Sequence, residues 1–324
     1  MNRYRKSLLG INDELDNAVL DIASLSHRYM EMYPAAGGDV SQVFSSRASS
    51  ELRQIFGREA SGWFSIRTLE RMSSIRKDGR SGYRTEGIKH ASFYEEVRVL
   101  GRRVLLITCT GSQLPAILET VRRNRSGRYF NLMELSADAR SVRVLYGNRE
   151  FGSIPSIELH VHLLAAAMSV HEGNDHPGVV HAHPYHCTRL GMHPQVCGDY
   201  ARFNAVIYSQ VEGLNRNVPR LIGVIPYAPS GSATLVQRTE EALRNHEVVL
   251  WMNHGVIARS FRVERAYSLL AYAEQGARAA LDYLRDGGCG LPRSVVQGVL
   301  TDKIVLSAYR KCFARKNKKP TPTR

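Results

Sequence analysis

The sequence offers no cysteine framework. Its five cysteines (Cys109, Cys187, Cys197, Cys289 and Cys312) are scattered, odd in number and without a C-x-x-C pair. That argues for a reducing compartment and against both a disulfide scaffold and a cysteine-ligated zinc site. Long apolar runs are missing as well. No window approaches the roughly 18 uninterrupted apolar residues of a membrane span, and the basic start Met1 to Asn12 is not followed by an apolar core of signal-peptide length. The expectation is a cytoplasmic protein with no membrane partner. Acidic residues are outnumbered, 30 against 44 basic ones, for a net charge of +14. Such an excess suits nucleic acid, an acidic membrane surface or an anionic small molecule. Arginines are spread over residues 1–150, and the dense run Arg315-Lys316-Asn317-Lys318-Lys319 lies in a segment, 314–324, that reads as a disordered basic tail. No nucleic-acid motif accompanies the charge, so an anionic small-molecule substrate is the reading kept.

What the 324 residues do contain is ample apolar content for a core. With no internal repeat and no clear linker, one domain with decorations is expected. Residues 12–33 show helical periodicity (Leu15, Val19, Leu20, Ile22, Leu25, Tyr29, Met30) and end in the breaker Pro34-Ala35-Ala36-Gly37-Gly38. With a second helix-like segment near Leu52 to Phe56, this predicts an N-terminal helical region over 1–56. The main domain then runs over 57–313, and residues 74–95, charged and interrupted by Gly and Ser, read as a loop insertion within it. Short β-rich runs follow at Val104 to Thr108, Phe130 to Leu135 and Val142 to Tyr146. Ser153-Ile154-Pro155-Ser156 opens a helix to about His171, with Glu158 in its first turn and His162 one turn further on the same face. A Glu so placed is more often a helix-end charge than a catalyst. Later strands at Leu221 to Ile225 and Val248 to Met252 alternate with helices over Ala233 to Asn245, Arg262 to Asp286 and Arg293 to Phe313.

The stretch Gly178-Val179-Val180-His181-Ala182-His183-Pro184 is the centre of the functional reading. In an extended strand, His181 and His183 share a face, and two imidazoles on one face can share a metal. Alone, H-x-H is a weak signal and partners decide the matter. His254, in Asn253-His254-Gly255, also sits where an apolar strand gives way to a turn. Thr110-Gly111-Ser112 offers free N–H groups and hydroxyls that suit an oxyanion, although such a turn is ordinary by itself.

Taken together, Glu158-x-x-x-His162, His181-Ala182-His183, Pro226-Tyr227-Ala228-Pro229-Ser230-Gly231 and Leu250-Trp251-Met252-Asn253-His254-Gly255-Val256 resemble the class II aldolase/adducin family in order and spacing. The similarity spans about Gly57 to Leu306. It implies an α/β fold, an αβα sandwich with a central mostly antiparallel sheet, and a homotetramer with active sites between subunits. It also implies one Zn2+ per subunit held by His181, His183 and His254, with Glu158 as acid/base beside it and Glu212 as a second acid/base reaching a neighbouring subunit. The implied reaction is cleavage of a sugar phosphate, a ketose 1-phosphate such as L-rhamnulose 1-phosphate, to dihydroxyacetone phosphate and L-lactaldehyde. Epimerase or dehydratase activity on a similar substrate, or an adducin-like interaction module, are the alternatives. The implied phosphate donors are Gly62, Gly111, Ser112 and Ser156. Here the sequence departs: aligned on the segment Ala60 to Ser65, Trp63 stands where the family carries a Gly-Asn pair, and Ala60 replaces a further Asn. Trp63 could cover the phosphate pocket or pack into the core. The alternation of Phe64 and Ile66 with Ser65 and Arg67 favours the core.

Overall fold

A computed structural model describes residues 12–32, 38–66, 91–109, 114–123, 129–147, 156–292, 294–296, 300 and 302–313. Nine strands among them form one sheet: β1 (Gly38–Val43), β2 (Phe64–Ser65), β3 (Val104–Thr108), β4 (Phe130–Leu135), β5 (Ser141–Tyr146), β6 (Gly178–Ala182), β7 (Ile222–Ile225), β8 (Val248–Trp251) and β9 (Gly255–Ser260). Their order is β2-β5-β4-β3-β1-β6-β9-β8-β7. Every neighbouring pair is antiparallel except β7 with β8.

Both faces of the sheet are apolar, and the strand period of two divides them. Val104, Leu106, Val180 and Ala182 share one cluster with Leu15 and Val19 of the first helix (Asp13–Met32) and Leu270 and Ala273 of a long helix (Val263–Asp286). Leu105, Ile107 and Val179 belong to the opposite cluster, with Phe93, Leu163 and Leu235 of the helices Ala91–Val97, Leu159–His171 and Ala233–Leu243. The result is helices on both sides of a mostly antiparallel sheet, the expected αβα sandwich. The helix Leu159–His171 is buried from Leu159 through Ser169. It has no polar face because sheet and helices enclose it.

Three sequence expectations need correction. The N-terminal region is not simply helical, because Gly38–Val43 forms β1 between β3 and β6 in the middle of the sheet. With only Val40 and Val43 apolar and Ser41-Gln42 between them, the run shows no clean strand alternation, and it follows a glycine breaker, which hides it. The 74–95 loop gives way at Ala91 to a helix whose Phe93 and Val97 are buried; residues 74–90 lie outside the described set, as does the 314–324 tail. Trp63 is not core: it is 48% exposed, with the Arg143 guanidinium over its ring at 5.0 Å.

Candidate metal and acid/base site

Three neighbouring ends of the sheet build the site. β6 delivers His181 near its last residue and His183 just beyond it. β9 pairs with β6 so that Ala182 faces Val256, which brings the turn joining β8 to β9 against His183. That turn holds His254: its N–H donates to the Trp251 carbonyl at 3.1 Å, and Asn253 takes φ 61 to make the bend. Asparagine is among the few residues that adopt this left-handed conformation at low cost. Gly255 is required for a different reason. A Cβ there would lie 2.6 Å from the Ala182 oxygen, 2.7 Å from His183 Cδ2 and 2.8 Å from His181 Cε1.

The three imidazoles converge. One ring nitrogen of each lies within 4.8 Å of the others, and Nε2 of His181 is 3.1 Å from Nε2 of His183. Nδ1 of His181 is 3.1 Å from the Val256 carbonyl oxygen. A carbonyl only accepts, so Nδ1 carries the proton and Nε2 keeps its lone pair for a metal. Burial is the largest reason that all three histidines titrate below the ordinary histidine value, His181 well below it and His254 down to about 4. Three neutral imidazoles aimed at one point are the donor set of an open, catalytic type of metal site, so these residues fit a bound divalent ion. Trp251, almost fully buried, packs at a tilt against His181 at 4.5 Å and His254 at 5.0 Å between centroids.

Glu158 caps the buried helix Leu159–His171, immediately before the first turn where the sequence placed it, and its Oε1 lies 3.9 Å from Nε2 of His254. Ser156 Oγ donates to Glu158 Oε2 at 3.1 Å, and the Glu158 N–H returns a bond to Ser156 Oγ at 3.1 Å. Burial first, and the charge of Asp39 second, push the Glu158 carboxyl up to about 8. Ser230, from the loop before the helix Ala233–Leu243, lies 3.4 Å from Nε2 of His254.

The other sequence candidates fare differently. Ser156 joins the site, but its hydroxyl is engaged with Glu158. Gly111 and Ser112 lie outside the described residues; on either side of them, Thr108 accepts from the Val40 N–H at 3.0 Å and the Leu114 side chain reaches Gly38. Glu212 begins a short helix (Glu212–Asn217), is half exposed and pairs with Arg216 at 2.6 Å; it is not in the group that converges with the histidines. Gly62 is exposed next to β2, five strands from β6, roughly 24 Å at the usual strand spacing. The expectation that the segment Ala60 to Ser65 lines the site is therefore corrected: the Gly-polar pair at the site is Gly38-Asp39 of β1, opposite Ala182 and His181.

Asp39 is the residue sequence reasoning missed, together with Ser41, which reaches it through His162. Ser41 Oγ lies 2.8 Å from Nδ1 of His162, and Nε2 of His162 lies 3.4 Å from Asp39 Oδ2. The signal that could have found it is the run Asp39-Val40-Ser41-Gln42-Val43, polar residues punctuated by two valines directly after two glycines.

The family described as "Class II Aldolase and Adducin N-terminal domain" matches residues 97–281. Rhamnulose-1-phosphate aldolase of Listeria welshimeri is 21% identical over 196 residues, covering 57% of this chain and 68% of the relative. The protein of the same name from Pectobacterium carotovorum is 23% identical over 159 residues, 48% of this chain and 57% of the relative. The chain spans about two thirds of the length of the Listeria relatives it matches. Among solved structures, a sugar-phosphate aldolase from Thermotoga maritima superposes with a TM-score of 0.60 at 19% identity, over 85% of this chain and 98% of that one.

Proposed function

Since the chain belongs to the class II aldolase and adducin family, we propose that it is a metal-dependent carbon–carbon lyase that cleaves a ketose 1-phosphate. L-Rhamnulose 1-phosphate, giving dihydroxyacetone phosphate and L-lactaldehyde, is the first substrate to test, in keeping with the names of its relatives. The observation that carries the reading is the convergence of His181, His183 and His254 beside a buried carboxyl, Glu158, 3.9 Å from the nearest ligand nitrogen. His181, His183 and His254 hold a divalent ion, zinc by their nitrogen chemistry. When bound, that ion supplies Lewis acidity to the oxygens of the ketose.

Retro-aldol cleavage takes a proton from the C4 hydroxyl, breaks the C3–C4 bond and returns a proton to C3. Glu158 is the group that moves such a proton. Its burial suits this role, because a carboxyl whose ordinary acidity is weakened both takes and gives a proton near neutrality. Ser156 and Ser230 hold its oxygens. Gly111 and Ser112 remain the proposed phosphate donors, and Glu212 contributes only across a subunit boundary, in a homotetramer.

The test is to incubate zinc-loaded protein with a panel of ketose 1-phosphates and measure dihydroxyacetone phosphate by a coupled assay. Glu158→Gln should keep the metal and lower turnover about 10²-fold or more. A product with its carbon chain intact would make the protein an epimerase or dehydratase instead. Protein that neither binds metal nor turns over any ketose would fit an adducin-like interaction module.

A further inference from the structure

Asp39 belongs neither to the histidine trio nor to the acid/base, yet the strand register sets it beside them. β1 runs antiparallel to β6 with Asp39 opposite His181, so the two side chains rise from the same face as cross-strand neighbours, about 5 Å apart at Cβ. Gly38 permits this close approach, because a Cβ at that position would collide with the His181 carbonyl oxygen.

The carboxylate is built in. Asp39 is 8% exposed, and His162, fully buried, stands beside it with its other nitrogen engaged by Ser41. A carboxyl is ordinarily ionised at neutral pH, and the group that faces this one is Nε2 of His162, 3.4 Å from Oδ2. Oδ2 is buried without a good hydrogen bond, since 3.4 Å to His162 is long for one. An ionised carboxylate is acceptor-only, and a buried acceptor without a donor is costly.

We propose that Asp39 sets substrate specificity at this site: it accepts a hydrogen bond from a hydroxyl of the ketose and rejects an anionic group at that place. This rests on the aldolase reading and deepens it. A hydroxyl brings the donor that the carboxylate lacks. A phosphate or carboxylate brings acceptors and a like charge into a partly desolvated pocket, where repulsion is weakly screened. The group of the substrate that meets Asp39 is therefore a neutral hydroxyl.

The test uses metal-loaded wild type, Asp39→Asn, which keeps shape and removes charge, and Asp39→Ser as a smaller neutral variant. Inorganic phosphate binding is read by calorimetry. Cleavage is read as the ratio of kcat/KM for L-rhamnulose to that for L-rhamnulose 1-phosphate. Both neutral variants should bind phosphate at least about tenfold more tightly than wild type, and the ratio should fall by a similar factor. Unchanged phosphate affinity with an unchanged ratio overturns the proposal, as does a wild type that already binds phosphate as tightly as the variants. A protein that cleaves neither sugar but gains phosphate affinity on losing the Asp39 charge removes the aldolase reading and keeps Asp39 as the anion filter. One that cleaves both sugars with a ratio blind to Asp39 does the reverse.

Discussion

Glu274, fully buried on the long helix Val263–Asp286, holds the start of the short helix (Tyr185–Gly191) that begins two residues after His183. Its Oε1 accepts from the His186 backbone N–H at 3.0 Å and lies 2.7 Å from His186 Nδ1, while Oε2 accepts from the Cys187 N–H at 2.8 Å. A carboxylate at a helix start answers N–H groups that have no partner within the helix. Here it ties the segment carrying one histidine of the trio to the helical layer behind the sheet.

Glu274→Ala should therefore cost stability and also loosen the site. Stranding these donors is worth about 2–4 kcal/mol, readable in urea unfolding, and the metal should dissociate more readily because His183 is less firmly held. Glu274→Gln retains one acceptor oxygen and should fall between the two. Wild-type metal affinity in Glu274→Ala would mean that Pro184 and β6 alone position His183.

Metal binding should be visible as stability. A ligand that binds the folded form alone adds about 2.7 kcal/mol at a free concentration of 100 times its Kd. The melting temperature should rise on zinc loading and fall with a chelator. His183→Ala should abolish most of that response while remaining folded, since it removes one ligand from a partly exposed ring. A melting temperature indifferent to zinc in wild type would leave the convergence of the three rings without a metal to explain it.

Gly255→Ala tests the packing of the site without replacing a proposed ligand. The added methyl has backbone oxygen on one side and two imidazoles on the other, all closer than 3.0 Å. The rings can yield more easily than the backbone, so zinc affinity should drop more than global stability. The converse, a large loss of stability with zinc affinity intact, would place the strain in the β8–β9 hairpin.

The histidines and Glu158 are weak signals one by one, since H-x-H is common and a Glu at a helix start is ordinary; it is their order and spacing, through the resemblance to the class II aldolase/adducin family, that joins them into a site. The sandwich is legible in the same way: the β-rich runs Val104 to Thr108 and Phe130 to Leu135 mark strands, and the resemblance supplies the layers. Asp39 is hidden for physical reasons. β1 has few apolar residues and draws its stability from hydrogen bonds to β3 and β6 on either side, which no local pattern reveals. Trp63 misleads in the opposite way. Large aromatics are usually buried, but this indole lies beside the sheet edge, where the Arg143 guanidinium covers one face and solvent reaches the other.

The last prediction concerns pH and lies away from the site. Arg259 of β9, 2% exposed, makes two 2.8 Å bonds to the carboxylate of Glu172 and a 3.0 Å bond to the Leu243 carbonyl. The hydrogen bonds from Arg259, ahead of its charge, hold the Glu172 carboxyl below its ordinary value of 4.5. A depressed carboxyl binds its proton more weakly in the folded chain than in the unfolded one, so its contribution is complete above the unfolded value and is lost as pH falls through the folded one. Glu172 is itself over one third exposed, which screens the pair and limits its size. A double-mutant cycle with Glu172→Gln and Arg259→Met should give a favourable coupling that is constant from pH 7 down to about 5 and declines below about 4.5. Coupling that persists undiminished at pH 3 would show that packing and the Leu243 bond, not the ionised carboxylate, hold Arg259 in place.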